Sequence, residues 1–279
     1  MTVKIVTDSV ADLPPQVVEE LGITVVPLQI RFGNEVFRDG IDITLDEFYR
    51  RLLESMILPV TSVPTPASYY EVYDSLAEET DRIAVITVTS RLSGTYDVAH
   101  QSVGMMKRDC QVEVVDSRLA TMAQGFVVMK AARAANDGAS LKEVLSVIRE
   151  NIPRAGFQAA FDTLEFLRRG GRIGHAQAFL GTKLHIKPII TLKDGLVEPV
   201  TKVRSKAKAA EHLYEYACSF SNIEELALET TGEPEEAEAL IDKLSTLVPR
   251  DKIYRSGMTP VIGTHTGPGL LLVAVLGDK

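Results

Sequence analysis

The chain has 279 residues and a formal net charge of −8, from 30 Lys plus Arg against 38 Asp plus Glu. So acidic a chain repels nucleic acid and anionic membrane surfaces unless a local basic patch overrides its field. Cys110 and Cys218 are too few for a disulfide framework or a zinc cluster, and free thiols suit a reducing compartment.

Met1 to Asp8 enters a strand pattern directly, which predicts no signal peptide. The longest apolar run, Leu270 to Leu276, has the length of a strand and not of a membrane span. A cytoplasmic protein without stable membrane insertion is expected. Val3 to Val6 reads as a strand, and Pro14 to Leu21 as a helix with proline in its first turn and Gly22 as its stop. Ile23 to Phe32 reads as the next strand. Thr44 and Glu47 fit a capping box ahead of a helix over Leu45 to Glu54. Ala67 to Glu79 is a further helix. The apolar run Ile83 to Val88 is a strand covered on both faces. A helix from about Ser93 to Lys107 follows, then a strand from Val112 to Val115 and a long helix from about Leu119 to Asn136. Ser140 and Glu143 form a second capping box before Leu141 to Arg149. This alternation predicts a mostly parallel, doubly wound sheet.

Past Pro153 the pattern changes. Gly156 to Phe161 reads as a strand and Thr163 to Arg169 as a short helix. Lys193-Asp194-Gly195 separates two strand-like runs, Ile186 to Leu192 and Val197 to Val203, and signals an antiparallel hairpin. A helix over Lys206 to Ser219, a strand over Leu226 to Thr230, a helix over Pro234 to Leu247 and two terminal strands complete the chain. The expected architecture is α/β in two domains. An N-terminal doubly wound domain spans 1–155, and a mixed-sheet domain spans 156–279. The default ligand site is the cleft between them.

Three clusters carry chemistry. Thr61-Ser62-Val63-Pro64-Thr65-Pro66 holds hydroxyls on a loop stiffened by two prolines, and taken alone it reads first as a helix cap. Ser90-Arg91-Leu92-Ser93-Gly94-Thr95 opens a helix beyond the carboxyl end of a strand, where backbone N–H groups attract an anion. A helix cap accounts for that segment equally well. His265 lies in Gly263-Thr264-His265-Thr266-Gly267, read as a loop before an apolar strand. It is either a solvated histidine or an N–H donor to an anion. Asp8-Ser9 and Asp116-Ser117, at strand ends, read as supporting caps. A fourth feature, Arg168-Arg169-Gly170-Gly171-Arg172, places three arginines at a glycine turn, either a solvated turn or a clamp for phosphate or an acidic partner. No P-loop, dinucleotide fingerprint, nucleophile elbow or metal-ligand spacing is present. Ser93 and His265 with an aspartate would make a serine hydrolase triad acting on acyl esters, which is kept as the alternative.

At these residues the chain resembles the DegV family, the bacterial fatty-acid-binding proteins that serve fatty acid kinase. Matching stretches are Thr7-Asp8-Ser9, Thr61-Ser62-Val63-Pro64, Leu92-Ser93-Gly94-Thr95-Tyr96, Asp116-Ser117, Leu167 to Ile173, Ile186-Lys187-Pro188-Ile189, Lys202-Val203-Arg204 and Gly263-x-His265-x-Gly267-Pro268-Gly269. They run from one terminus to the other. Val63 departs from the glutamine common there. The resemblance implies two α/β domains with a long-chain fatty acid buried between them and no further cofactor. It places Thr61, Ser62, Ser93, Gly94 and His265 at the carboxylate and Arg172 at the kinase partner. It also implies that the protein is a lipid carrier and not itself an enzyme. Its role would be to present the carboxylate to a separate ATP-using kinase and then to carry the acyl phosphate.

Overall fold

The computed structural model describes residues 2–181 and 186–279. The chain begins with β1 (Lys4–Asp8), α1 (Pro15–Leu21), β2 (Thr24–Val26), β3 (Gln29–Phe32), β4 (Glu35–Arg38), α2 (Leu45–Glu54) and β5 (Val60–Ser62). It continues through α3 (Pro66–Leu76), β6 (Arg82–Thr87), α4 (Thr95–Val103), β7 (Gln111–Asp116), α5 (Thr121–Asn136) and α6 (Leu141–Asn151). From there it runs β8 (Ala155–Ala160), α7 (Glu165–Arg169), β9 (Lys187–Lys193), β10 (Leu196–Val203) and α8 (Lys206–Cys218). The last elements are β11 (Asn222–Thr230), α9 (Pro234–Leu244), β12 (Ile253–Gly257), α10 (Pro260–Thr266) and β13 (Leu271–Asp278).

Four strands form a parallel sheet in the order β2-β1-β6-β7. Helices cover it, so β6 is apolar on both faces: Ile83, Ala84, Val85 and Ile86 have no exposed surface. A six-stranded sheet has the order β10-β9-β8-β13-β11-β12, antiparallel except for the β11–β12 pair. The fold is therefore the expected α/β class, with one parallel and one mixed sheet. The β9–β10 hairpin turns at Asp194 and Gly195, with φ of 50° and 81°, the left-handed pair an Asp-Gly turn supplies. Ser140 and Glu143 form the reciprocal capping box; at Thr44 only the threonine half is made, because Glu47 turns to Arg50 and Arg51.

Three expectations fail locally. Ile23 to Phe32 is not one strand. Pro27 lies between β2 and β3, where it cannot donate to a ladder, and β3 leaves for a third, antiparallel sheet of order β4-β3-β5. The segment holding Thr61 and Ser62 is accordingly not a loop but β5, paired to β3 with Thr61 opposite Ile30. The segment 260–266 is not a loop either; α10 carries His265 in its last turn.

β8 opens the second sheet at Ala155, and on that ground we propose the domain division 1–155 and 156–279. Two helices cross it. α5 packs on β1 of the first sheet and on β8 and β13 of the second, and Phe126, Val127, Val128 and Met129 are all without exposure. Its approach to the turn after β1 is close: a side chain on Gly125 would come within 2.6 Å of the Ala11 carbonyl oxygen. α10 returns from the second half to pack on α2, β3 and β5.

Candidate ligand-binding site

β1 and β6 are neighbours whose outgoing connections diverge, β1 leading to β2 on one side and β6 to β7 on the other. Ligands in doubly wound sheets bind beyond the carboxyl ends of strands at such a switch point. A cavity lies there, between the two sheets. Val10, Val88 and Leu92 line it from the segments that follow β1 and β6, Phe157, Ile190, Leu192 and Val197 from the mixed sheet, and Met258, Val261 and Ile262 from α10 and its approach. Open mouth included, the space is about 760 Å³. Its polar members are Thr61, Ser93, Thr121, Arg172, His265 and Thr266.

Four of these six gather at one end. Thr61 Oγ1 lies 2.8 Å from His265 Nε2, so β5 and α10 are tied across 204 residues of chain. His265 Nδ1 has no hydrogen-bond partner among the described residues. Burial, with the nearby Arg172 guanidinium, holds the imidazole down to about 4, so it is neutral at physiological pH. Arg172 donates from Nε to the Leu92 carbonyl at 3.1 Å and from Nη1 to the Gly170 carbonyl at 2.6 Å. It thereby joins the glycine turn to the loop carrying Ser93. Ser93 Oγ lies 2.8 Å from Thr95 Oγ1. That loop is itself braced, since Ser90 donates through both N and Oγ to Asp116. Asp8 acts as the expected cap, accepting from Val10 N and, across the sheet, from Val88 N.

The sequence-derived candidates separate. Thr61, Ser93 and His265 line the cavity together. Ser62 does not: successive strand residues face opposite ways, and Ser62 is exposed with its Oγ on Gln29 Oε1. Gly94 is also exposed, one residue before α4 begins, and outside the cavity lining. Arg172, expected at a partner surface, stands in the cavity wall and also borders an adjoining surface recess with Leu58, Pro59, Val60 and Arg169. Its neighbours Arg168 and Arg169 are both paired with Glu165. The hydrolase relay is not assembled, because His265 is bonded to Thr61 and Ser93 to Thr95. The sequence reasoning missed Thr121, a wall residue whose φ of 58° is one that β-branched residues avoid. It also missed a set of buried carboxyls, Asp12, Asp39 and Glu229. Asp12 and Asp39 stand in connecting segments and Glu229 in a strand, positions that carry no local signal of burial, except that Glu229 directly follows the apolar run Leu226–Leu228.

Among the described residues no group of His, Cys, Asp and Glu is arranged to hold a metal ion, and no helix is long and apolar enough to cross a membrane.

Comparison with known proteins adds four findings. A DegV domain-containing protein of Streptomyces coelicolor is 39% identical over 280 residues, covering 98% of each chain. A DegV family protein from Thermus thermophilus, described for its fatty acid binding, superposes with a TM-score of 0.91 at 33% identity, over 99% of this chain and 100% of that one. DegV from Bacillus subtilis, described as a fatty acid binding protein, gives a TM-score of 0.89 at 31% identity, over 99% of each chain. The family model described as "Uncharacterised protein, DegV family" matches residues 2–278, and the chain belongs to that family.

Proposed function

We propose that this protein binds a long-chain fatty acid in the cavity, presents its carboxylate to a separate ATP-dependent fatty acid kinase, and then carries the acyl phosphate. The observation that carries this is the chemistry of the cavity: a largely apolar space between two sheets, with Thr61, Ser93, Arg172 and His265 at one end. That the related proteins of T. thermophilus and B. subtilis are described as fatty acid binding supports it.

The energetics divide between tail and head. Burying an alkyl chain stabilises by roughly 0.8 kcal/mol per methylene, so a tail of about 16 carbons contributes roughly 10 kcal/mol before the costs of association. Affinity then resides in the tail and the head group needs orientation. With Nε2–H donating to Thr61 Oγ1, the Thr61 hydroxyl hydrogen is free to reach a carboxylate oxygen. Ser93 offers a second hydroxyl, and Arg172 supplies the one positive charge that the neutral His265 does not. These are Thr61, Ser93, His265 and Arg172 in binding roles; Ser62 and Gly94 have none. The recess bordered by Thr61, Arg169, Arg172 and His265 gives a phosphoryl donor a way to the head group from outside.

Native mass spectrometry of the protein purified from a bacterial host is the test. A bound mass equal to a long-chain fatty acid is expected, released by denaturation. A protein with no bound lipid, and no affinity for added palmitate or oleate, would overturn the reading. The kinase arm is tested separately, by transfer of the γ-phosphoryl of ATP to the bound acid when a purified fatty acid kinase is added.

A further inference from the structure

Beside the cavity two acids meet without a counter-charge. Asp12 ends the turn after β1 and Glu229 lies on β11; they are 2% and 0% exposed. Asp12 Oδ1 accepts from Thr259 N at 3.0 Å, and Glu229 Oε2 accepts from Met122 N at 3.2 Å. The second oxygens, Asp12 Oδ2 and Glu229 Oε1, are buried and receive no donor from the described residues. Ser256, which stands opposite Glu229 in the β11–β12 pairing, donates from Oγ to the Asp12 carbonyl at 3.2 Å, so the two carboxyl groups come within reach of each other, with the Thr259 hydroxyl beside Asp12 and the Thr121 hydroxyl beside Glu229. Two carboxylate oxygens are both acceptors, so a contact between them needs a proton.

The far end of each arm reaches the cavity wall. Met122 follows Thr121, and Thr259 follows Met258; Thr121 and Met258 both line the cavity. Thr121 holds a left-handed φ of 58°, a strained conformation for a β-branched residue that persists only where its surroundings impose it. Glu229 is one such constraint, gripping the next N–H. Asp12 grips the segment leading into α10, whose last turn carries His265.

We propose that Asp12 and Glu229 share one proton and so form a latch between the two halves of the molecule, one that positions both cavity walls and loosens when the proton leaves. Burial raises both carboxyls above their ordinary range, and the neighbouring Glu229 charge raises Asp12 further. The sign follows. Below that raised range the proton is held and the latch is closed. As pH rises through it, two carboxylates are left facing each other and the walls separate.

Other charged groups surround the pair. Asp8 and Asp39 lie on the same side as Asp12, Glu19 borders the same groove from α1, and Tyr49 approaches from α2. On β12, Arg255 is turned to Glu238 of α9; on α5, Arg133 is paired with Glu225; on β13, Asp278 is paired with Arg154. None of these cations neutralises the pair.

The proposal rests on the fatty-acid reading for its consequence and not for its existence, and two measurements keep them apart. The first is transfer of cis-parinarate from the protein to albumin between pH 6 and pH 9. In the wild type the off-rate should rise on the order of tenfold, the ratio for one unit of differential protonation. In Glu229→Gln, whose amide can donate to Asp12 and still accept from Met122 N without titrating, the profile should be flat; Asp12→Asn should flatten it too. Parallel profiles in wild type and both variants would overturn the latch. The second is amide hydrogen exchange at Met122 and Thr259 in lipid-free protein. Protection corrected for base catalysis should fall with pH in the wild type and hold in Glu229→Gln, and equal pH dependence in the two would overturn the latch. If cis-parinarate does not bind at all, the fatty-acid reading fails while the exchange data still decide the latch.

Discussion

Gly170→Ala isolates the head-group end of the cavity. Gly170 has ordinary helical φ and ψ of −72° and −9°, so alanine meets no backbone strain. It meets His265 instead. The added Cβ would overlap Nδ1, lie 2.9 Å from Cε1, and come 3.2 Å from the Phe166 carbonyl oxygen. The backbone on one side is fixed by the Gly170 N–H bond to Phe166 O, at 2.9 Å, so the ring must move. A shift of roughly 1 Å breaks the Thr61 contact, a hydrogen bond contributing about 1 kcal/mol net, and overpacking of this kind costs about 1–3 kcal/mol. Fatty acid affinity should fall about tenfold, since 1.4 kcal/mol is a factor of ten. The assay is displacement of a fluorescent fatty acid, with the His265 imidazole nitrogens followed by NMR. Gly104→Ala, whose Cβ would meet its nearest neighbour at an ordinary 3.6 Å, is the control. An unchanged affinity together with an unchanged His265 spectrum in Gly170→Ala would refute the packing argument.

Thr61→Val keeps the shape of the side chain and removes the hydroxyl. It should weaken fatty acid binding several-fold with little change in folding, and unaltered binding would leave the Thr61–His265 pair a structural tie only. Arg172→Ala should lower both lipid affinity and phosphorylation of the bound acid; loss of phosphorylation alone would return Arg172 to a purely partner-facing role. A serine-reactive phosphonate should leave Ser93 unlabelled, and labelling would revive the acyl-ester hydrolase. Burial raises Asp39 from 3.8 to about 7, against the hydrogen bonds it accepts from its neighbours. A carboxyl raised on folding stabilises the native state at low pH and ceases to do so as pH climbs from about 4 to about 7, a swing of about 4 kcal/mol. Urea unfolding of Asp39→Asn between pH 4.5 and pH 8 should accordingly show a flatter dependence than the wild type, and identical slopes would show that Asp39 is not buried as a neutral acid.

Much of the frame was legible in the chain because local rules and tertiary context agree there. β6 announces itself as a buried strand, Asp194-Gly195 as a hairpin turn, and Ser140 with Glu143 as a helix start. What stayed hidden depends on long-range contact. Pro27 does not say that the next strand joins a different sheet. Gly263 and Gly267 suggested a loop at His265, whereas α10 tolerates Gly263 because Tyr49 and Phe48 pack against its bare backbone. Thr61 and Ser62 look alike in sequence, and only the pairing of β5 decides which faces inward. Arg172 was placed at a partner by the resemblance; the Leu92 carbonyl, 80 residues away in the chain, and the Gly170 carbonyl of its own turn hold it in the wall. Asp12 and Glu229 give no local sign that they meet.

α5 sets a limit on how this molecule can be divided. Twelve of its sixteen residues are buried, and its faces serve both sheets. A chain cut near residue 155 would leave one fragment with a bare apolar helix face and the other with an uncovered sheet. Neither would be expected to hold its shape alone. The two halves should therefore melt in a single cooperative transition, and a movement of one half against the other would have to keep α5 clasped on both sides.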